Sequence, residues 1–490
     1  MVKTRNCEST DGDERSLAEL NKVLIIPASD VEKKLGDADR DVKCPTVDSS
    51  TTEVKTFNTR WLQLLLFFLC GASNGIHWYH FTVVNNVARR YYGVSSLAIE
   101  WTTTIFMLTY VVLLVPASYL MDRVGLRLTV LIGATGTCIG SWIKVLATSP
   151  DGFVVAFIGQ CFFAVSYLFI LTVPGRLAAY WFGTSQIALA TTIGFFGPHA
   201  GYVISILSTS MVVQNHERIE DIGNDYSKLF WAGAIACSIV TVILFLLFQD
   251  EPGQPPSTAR ALAKVTRESH NTEGYSSVYK RVLSNKNFLM LWNSFGLLMG
   301  AVMTMGTMLN PFYIIHFKGD EKGVGILAFF SALTGCIGSA VCGAVLDKTK
   351  AFRVISIVAS CTSIFGAILF ATSFVMEIKW MLFASYILFG GPVLGYSTVA
   401  MDLCAEITYP EPEAITTGIL NMATQLYGFL LVLIIGRILE AFGDVAGHGC
   451  VVVSLVLGTV LVILNKGELR RQKAGQSTTV NETHAIFPQK

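Results

Sequence analysis

The sequence predicts an all-α membrane protein of twelve transmembrane helices built as two six-helix repeats. Apolar stretches of spanning length recur along most of the 490 residues. The composition is 52% hydrophobic and only 14% charged, against about 25% charged in soluble domains, and the mean hydropathy is +0.53. An acidic and basic loop also recurs at matching places in the two halves. The formal net charge of +1 offers nothing to a nucleic acid.

Residues 1-60 are too polar to bury a core and are expected to form a disordered cytoplasmic tail. They lack the apolar core and cleavage site of a signal peptide, so the first span is expected to remain in the mature protein. Spans are predicted at 61-87, 98-121, 126-147, 153-182, 186-213, 229-249, 288-316, 324-346, 352-374, 380-404, 414-439 and 448-465, each near the roughly 20 residues that cross a bilayer. They group into bundles 61-249 and 288-465, joined by a polar, basic cytoplasmic linker at 250-287. Lys and Arg gather at Arg123, Arg127, Lys348, Lys350, Arg353, Lys466, Arg470, Arg471 and Lys473 on one side of this topology. The positive-inside rule makes that side cytoplasmic, together with both termini and the tail 466-490, although Arg89 and Arg90 lie opposite. The sequon at Asn481 is therefore read as chance. Eleven cysteines show neither metal nor disulfide spacing, and no metal or cofactor is expected.

Polar residues inside spans mark candidate sites, because lipid does not accept them. Taken as one helix at about 100° per residue, the first span gathers Asn74, His77, Trp78, Phe81 and Asn85 on one face. Trp78 lies deep in its segment rather than at a headgroup-level end, and tryptophan is the strongest aromatic platform for a quaternary ammonium. The eleventh span repeats the pattern with Gly418, Asn421, Gln425 and Gly428, and the seventh places Met303, Thr307 and Asn310 together. In the fifth, His199 either caps a broken helix or hydrogen-bonds across the bundle near Pro198, or titrates in the cavity. No carboxylate stands at mid-depth in spans 1, 4, 5, 7, 8 or 11, which points to facilitated diffusion rather than ion coupling. Glu100 at the outer mouth is read first as a solvated helix start and second as a collector of cations. Asp122, Arg176 and Glu406 near cytoplasmic span ends are candidates for an inner gate. Lys144, Arg437 and Asp402 are read as similarly placed and able to snorkel to the interface.

The recurring loops read MDRVGLR (121-127) and LDKTKAFR (346-353), with Asp122 and Asp347 at corresponding places as candidate gate residues. The pattern is similar to the signature loop of the major facilitator superfamily and implies its fold of two six-helix repeats. The strings SNGIHW (73-78), YYGVSSLAIEW (91-101), GQCFFAVSYLFILTVPGRLAAYWFG (159-183), AEITYPEPEAITTGILNMATQ (405-425) and ELRRQKA (468-474) resemble the feline leukaemia virus subgroup C receptor-related family. The resemblance covers about residues 60 to 475. It implies a facilitative carrier of choline and ethanolamine working by alternating access, with haem export as an older, competing assignment. It further implies that Trp78 walls the amine pocket and that Gln425 meets the substrate hydroxyl or amine. Two positions depart from the family's choline carriers: Met303 stands where they have an aromatic residue, and His199 where they have a glutamine. A thioether lacks a ring quadrupole, so the cage is thinner and the substrate stays open. For haem, His77, His80 and His199 offer axial ligands, but His77 and His80 point about 60° apart on a continuous helix. A receptor that binds without transport is a further alternative. No nucleophile-base pair or phosphate loop suggests an enzyme. The expected setting is the plasma membrane, as a monomer with a small solute and the lipid bilayer as its partners.

Overall fold

The computed structural model describes residues 58–183, 186–252, 275–411, 413–467 and 469–470. The N-terminal tail, most of the linker, Asn481 and the side chain of Asp122 lie outside the described residues.

The expected first span is not one helix. It comprises α1 (Thr59–Gly75), a non-helical passage, a single 3₁₀ turn (Thr82–Val84) and α2 (Asn85–Tyr92). Asn74-Gly75 weakens the helix, and the β-branched residues beyond it favour extended backbone. The hydrogen bonds tighten to His77 N–H on the Asn74 carbonyl and Trp78 N–H on that of Gly75, each at 3.1 Å, before helical order ends. The single polar stripe expected on a continuous helix is thereby overturned.

The second and third spans form α3 (Ser96–Val145), which reverses at Gly125, whose φ of 82° suits glycine. The fourth is α4 (Phe153–Leu171) and α5 (Pro174–Trp181), divided just before Pro174. There follow α6 (Ile187–Val212), α7 (Ile219–Leu247), a linker helix α8 (Tyr275–Leu283), then α9 (Lys286–His316), α10 (Glu321–Thr349), α11 (Phe352–Val375), α12 (Lys379–Thr408), α13 (Glu413–Phe442) and α14 (Asp444–Leu464). Among the described residues ten stretches are long and apolar enough to cross a membrane. The other two expected spans are the broken first segment and α6. The outer faces of the spanning helices are greasy, with Leu246 of α7 75% and Trp380 of α12 76% exposed, as lipid contact requires. No strand occurs among the described residues.

The recurring loops do matching work within each half. Arg127 Nη2 donates to the Phe245 carbonyl near the end of α7 at 3.1 Å, and Arg353 Nη2 to the Ile463 carbonyl near the end of α14 at 2.6 Å. A cation on the last carbonyls of a helix suits its dipole. Each arginine thus clamps the sixth span of its own repeat, a pairing that the sequence pattern had not located. We call the side bearing these clamps the basic side and its opposite the distal side. On the basic side Arg281 of α8 grips Glu411 with Nε and Nη2, at 2.7 and 3.1 Å, and this hydrogen bonding holds the Glu411 carboxyl below its usual range.

On the distal side Asp320 caps α10, accepting from Gly323 N–H at 3.1 Å, Tyr313 Oη at 2.8 Å and Lys379 Nζ at 2.7 Å. Partial burial works against its charge, but these bonds outweigh it and hold the carboxyl below its ordinary value. Asp320→Ala is expected to cost about 1–2 kcal/mol in a thermal melt in detergent. Because the folded value is the lowered one, this contribution is present above the unfolded value, about 3.9, and is lost as pH falls through the folded one. Wild type and variant are therefore expected to converge only below about pH 4.

Candidate functional site

The non-helical passage between α1 and α2 is held by side chains rather than by helical hydrogen bonds. Gln160 Nε2 of α4 donates to the His77 carbonyl at 3.2 Å, Thr103 Oγ1 of α3 to the Trp78 carbonyl at 3.2 Å, and Asn310 Nδ2 of α9 to the Val83 carbonyl at 2.8 Å. Tyr79 N–H donates to Ser205 Oγ of α6 at 3.3 Å. Irregular backbone survives at membrane depth only with such partners.

Around this passage the side chains sort into two environments. Trp78 is 2% exposed and faces Phe106 at 4.2 Å between centroids, Tyr167 at 4.9 Å and Tyr202 at 5.1 Å. These rings come from α3, α4 and α6. Its Nε1 lies near the Tyr79 hydroxyl in no geometry that makes a hydrogen bond. The Tyr79 hydroxyl in turn reaches the other half at Gly306, where a Cβ would stand 3.4 Å away.

Asn74 and His77 turn the other way, into the first half. Asn74 Nδ2 donates to Thr137 Oγ1 at 2.9 Å and to the Phe163 carbonyl at 3.2 Å. His77 stacks on Phe163 at 4.0 Å and sets Nε2 3.3 Å from Cys237 Sγ. The structure thus separates both from Trp78, because the break after Gly75 cancels the helical angle between them. Phe81, just before the 3₁₀ turn, and Asn85, the first residue of α2, are buried as well.

Lys144 corrects its expected place. It stands near the distal end of α3, only 1% exposed, and does not snorkel. Its Nζ lies 3.0 Å from His80 Nδ1, and the rings of Phe81, Phe230 and Phe163 surround it at 4.7, 5.0 and 5.4 Å. Gly159 makes room for the stem, since a Cβ there would lie 2.8 Å from Lys144 Cγ. Ring faces stand in for water around the amine and tie His80, hence the irregular passage, to α3. Arg437 is likewise near the distal end of α13, not the basic side, and is exposed beside Glu440 at 3.8 Å.

Across the interface α13 runs antiparallel to the first half of α3. Tyr110 Oη approaches the Gly418 carbonyl at 3.5 Å, and Met107 Sδ lies 3.1 Å from where a Gly428 Cβ would be. Gln425 falls between these contacts on α13. It is 7% exposed, and its Oε1 has no hydrogen-bond partner. Met303 is half-buried and borders Gly428, 3.6 Å from Cβ to the same built position. Asn421 is half-buried one turn nearer the basic side.

His199 does not cap a broken helix, because α6 runs unbroken through Pro198. Its Nδ1 donates to the Phe195 carbonyl of its own helix at 2.8 Å, not across the bundle, leaving the neutral ring's lone pair on Nε2. The ring sits edge-on to Tyr202 at 5.5 Å. The α6 face that meets α10 at Ser210 and Gly325 is exposed lower down at His199 and Phe195.

The distal side is shut. Asn86 N–H donates to Asn310 Oδ1 at 3.2 Å, Asn310 Nδ2 to Asn86 Oδ1 at 3.0 Å and Asn86 Nδ2 to Glu321 Oε1 at 2.8 Å. The sequence offered Asn310 only as a neighbour of Met303; Asn86 carried no signal. Asn86→Ala removes two of the three bonds, each worth about 1 kcal/mol net. It is expected to raise several-fold the rate at which a water-soluble maleimide reaches a cysteine placed at Leu97. Of the gate candidates, Asp347 is exposed beside Lys350 of its own loop at 3.4 Å. Arg176 is half-buried and Glu406 buried at basic-side ends, and neither is without an interaction.

A sequence profile described as Major Facilitator Superfamily matches residues 66–432. The chain is 32% identical over 442 residues to the Choline/ethanolamine transporter flvcr2a of Danio rerio, covering 90% of this chain and 93% of that one. It is 30% identical over 429 residues to the Choline/ethanolamine transporter FLVCR2 of Homo sapiens, covering 88% and 81%. Among solved structures, a bacterial homolog of the human lysosomal transporter Spinster, inward-facing and occupied, superposes with a TM-score of 0.62 at 15% identity over 84% of this chain and 97% of that one. The Escherichia coli fucose:proton symporter gives 0.56 at 11% over 83% and 98%. At such identities these two speak for the fold alone.

Proposed function

The chain belongs to the major facilitator superfamily and, within it, to the feline leukaemia virus subgroup C receptor-related family, and we propose on that footing that it carries choline, ethanolamine or both. Its family is one of multi-pass membrane transporters, not of enzymes. The observation that carries the substrate reading is the aromatic wall of Trp78, Phe106, Tyr167 and Tyr202, with the unpaired Gln425 oxygen on the α13 helix of the other half that packs against α3. Ring faces attract an ammonium that has lost its water, and an amide oxygen accepts from the hydroxyl both substrates carry. Met303 adds soft contact without a quadrupole. His199, exposed and with its lone pair on Nε2, accepts from the N–H groups that ethanolamine has and choline lacks.

In this reading the distal side faces outward, both termini are cytoplasmic, and the two halves rock about the site as a monomer in the plasma membrane. A negative-inside potential draws the cation inward without a coupling ion. Asp347 and Asp122 with Arg176 and Glu406 act at the inner end. Haem export finds little support in the placement of His77 and His80, which are 1% and 0% exposed and packed against Phe163, Cys237 and Lys144 inside the first half.

The test is uptake of labelled choline and ethanolamine in cells lacking their own choline carrier. Saturable uptake of either at matched surface expression supports the proposal. Binding without flux turns it toward a receptor, and neither binding nor flux sends the search to haem efflux.

A further inference from the structure

Glu100 was expected to stand solvated at the outer mouth. Instead it is 2% exposed and lies between the halves, its Oε2 3.1 Å from where a Cβ on Gly436 of α13 would sit. That oxygen has no hydrogen-bond partner. The other carboxylate oxygen lies 3.0 Å from Ser96 Oγ, which is also 3.1 Å from Asn85 Oδ1.

One hydroxyl carries one proton and cannot donate to both acceptors. A proton on Glu100 resolves the conflict: the carboxyl O–H donates to Ser96 Oγ, and Ser96 donates to Asn85. Turning the Asn85 amide over also pairs Ser96, but leaves an ionised carboxylate with a single donor in a dry interface, where an unpaired charge is strongly disfavoured. The surroundings do not supply the missing charge. From α2 the nearest charged group is Arg89, exposed to solvent. From α13 it is Glu440, of like sign and itself beside Arg437. Met308 of α9 and Leu97 of α3, both apolar, border the same built position on Gly436, at 3.7 and 4.0 Å.

We propose that Glu100 is a proton-binding site that closes with the outer gate: it must take up an external proton for the distal side to shut against α13. Opening that side separates α3 from α13, water reaches the carboxyl, and the proton returns to the outer solution. No proton crosses the membrane, so flux remains uncoupled while external pH sets the balance between open and shut. The closed state binds the proton more tightly. Acid therefore favours closure, and closure is progressively lost as external pH rises.

The inference rests on the two-sided transporter reading but not on the substrate, and its test needs none. A cysteine at Leu97, beside Gly436, is labelled with a membrane-impermeant maleimide across external pH from about 5.5 to 8.5, in Glu100 and Glu100→Gln backgrounds. Thiol chemistry is common to both. The labelling ratio, Glu100 over Glu100→Gln, is expected to rise at least about threefold toward high pH, with the glutamine protein staying shut throughout. Should Glu100→Gln not reach the surface, Leu97→Cys is compared with Glu217→Cys, exposed on the same side. Their ratio is expected to rise equally. A flat ratio in either comparison overturns the proposal, and leaves the choline and ethanolamine reading untouched.

Discussion

Trp78→Leu is expected to lower uptake at limiting substrate about 10- to 30-fold while leaving surface expression near that of the wild type. A desolvated ammonium gains about 2 kcal/mol from an indole face, and each 1.4 kcal/mol is a factor of about ten. Leucine keeps an apolar body among Phe106, Tyr167 and Tyr202 but has no ring quadrupole. The loss should fall on apparent affinity, with Trp78→Phe between the two. A concentration series in carrier-deficient cells checks this. An unchanged half-saturation with reduced maximal flux would mean that Trp78 shapes the passage without meeting the solute.

Gly201→Leu is expected to prevent stable folding. A Cβ at Gly201 would stand 2.8 Å from the Gly75 Cα and against the Ala72 carbonyl, and one at Gly71 would stand 2.6 Å from Pro198 Cδ. Here α1 and α6 touch backbone to backbone, as small residues allow in membranes. Overpacking by even a methylene or two costs about 1–3 kcal/mol, and leucine must push the helices apart along their length. The folded fraction in detergent and the amount at the surface should both collapse. Gly449→Ala, with nothing within 4 Å, should be silent. Normal folding of Gly201→Leu would show that the two helices can part freely. The Gly197-Pro198-x-x-Gly201 string owes its composition to this contact.

Apolar length alone located the spans, since no other use of twenty apolar residues satisfies the backbone in lipid. The repeat was equally legible, because Asp122 and Asp347 recur at matching loops whose arginines clamp matching helices. Trp78 was named for its chemistry, as an aromatic platform for an ammonium. Its neighbours were not legible: Phe106, Tyr167 and Tyr202 sit on three separate helices, and no spacing within one helix signals a meeting between several.

Angles read from a continuous helix failed where the helix broke. Asn74 and His77 left the stripe because backbone after Gly75 no longer turns by about 100° per residue. Lys144 and Glu100 were read as wet because charged residues near span ends usually are. Only the packed structure shows the ring cage around one and the opposing glycine beside the other.

The sequence by itself determined membership of the membrane, the order of the apolar segments and the twofold repeat. These depend on composition and period, which are local properties of a chain in lipid. The tertiary structure decided which polar groups meet, which stay exposed and which are sealed within one half or between the two. Such outcomes depend on contacts between helices distant in sequence, and a single missing Cβ at Gly159 or Gly436 can settle them.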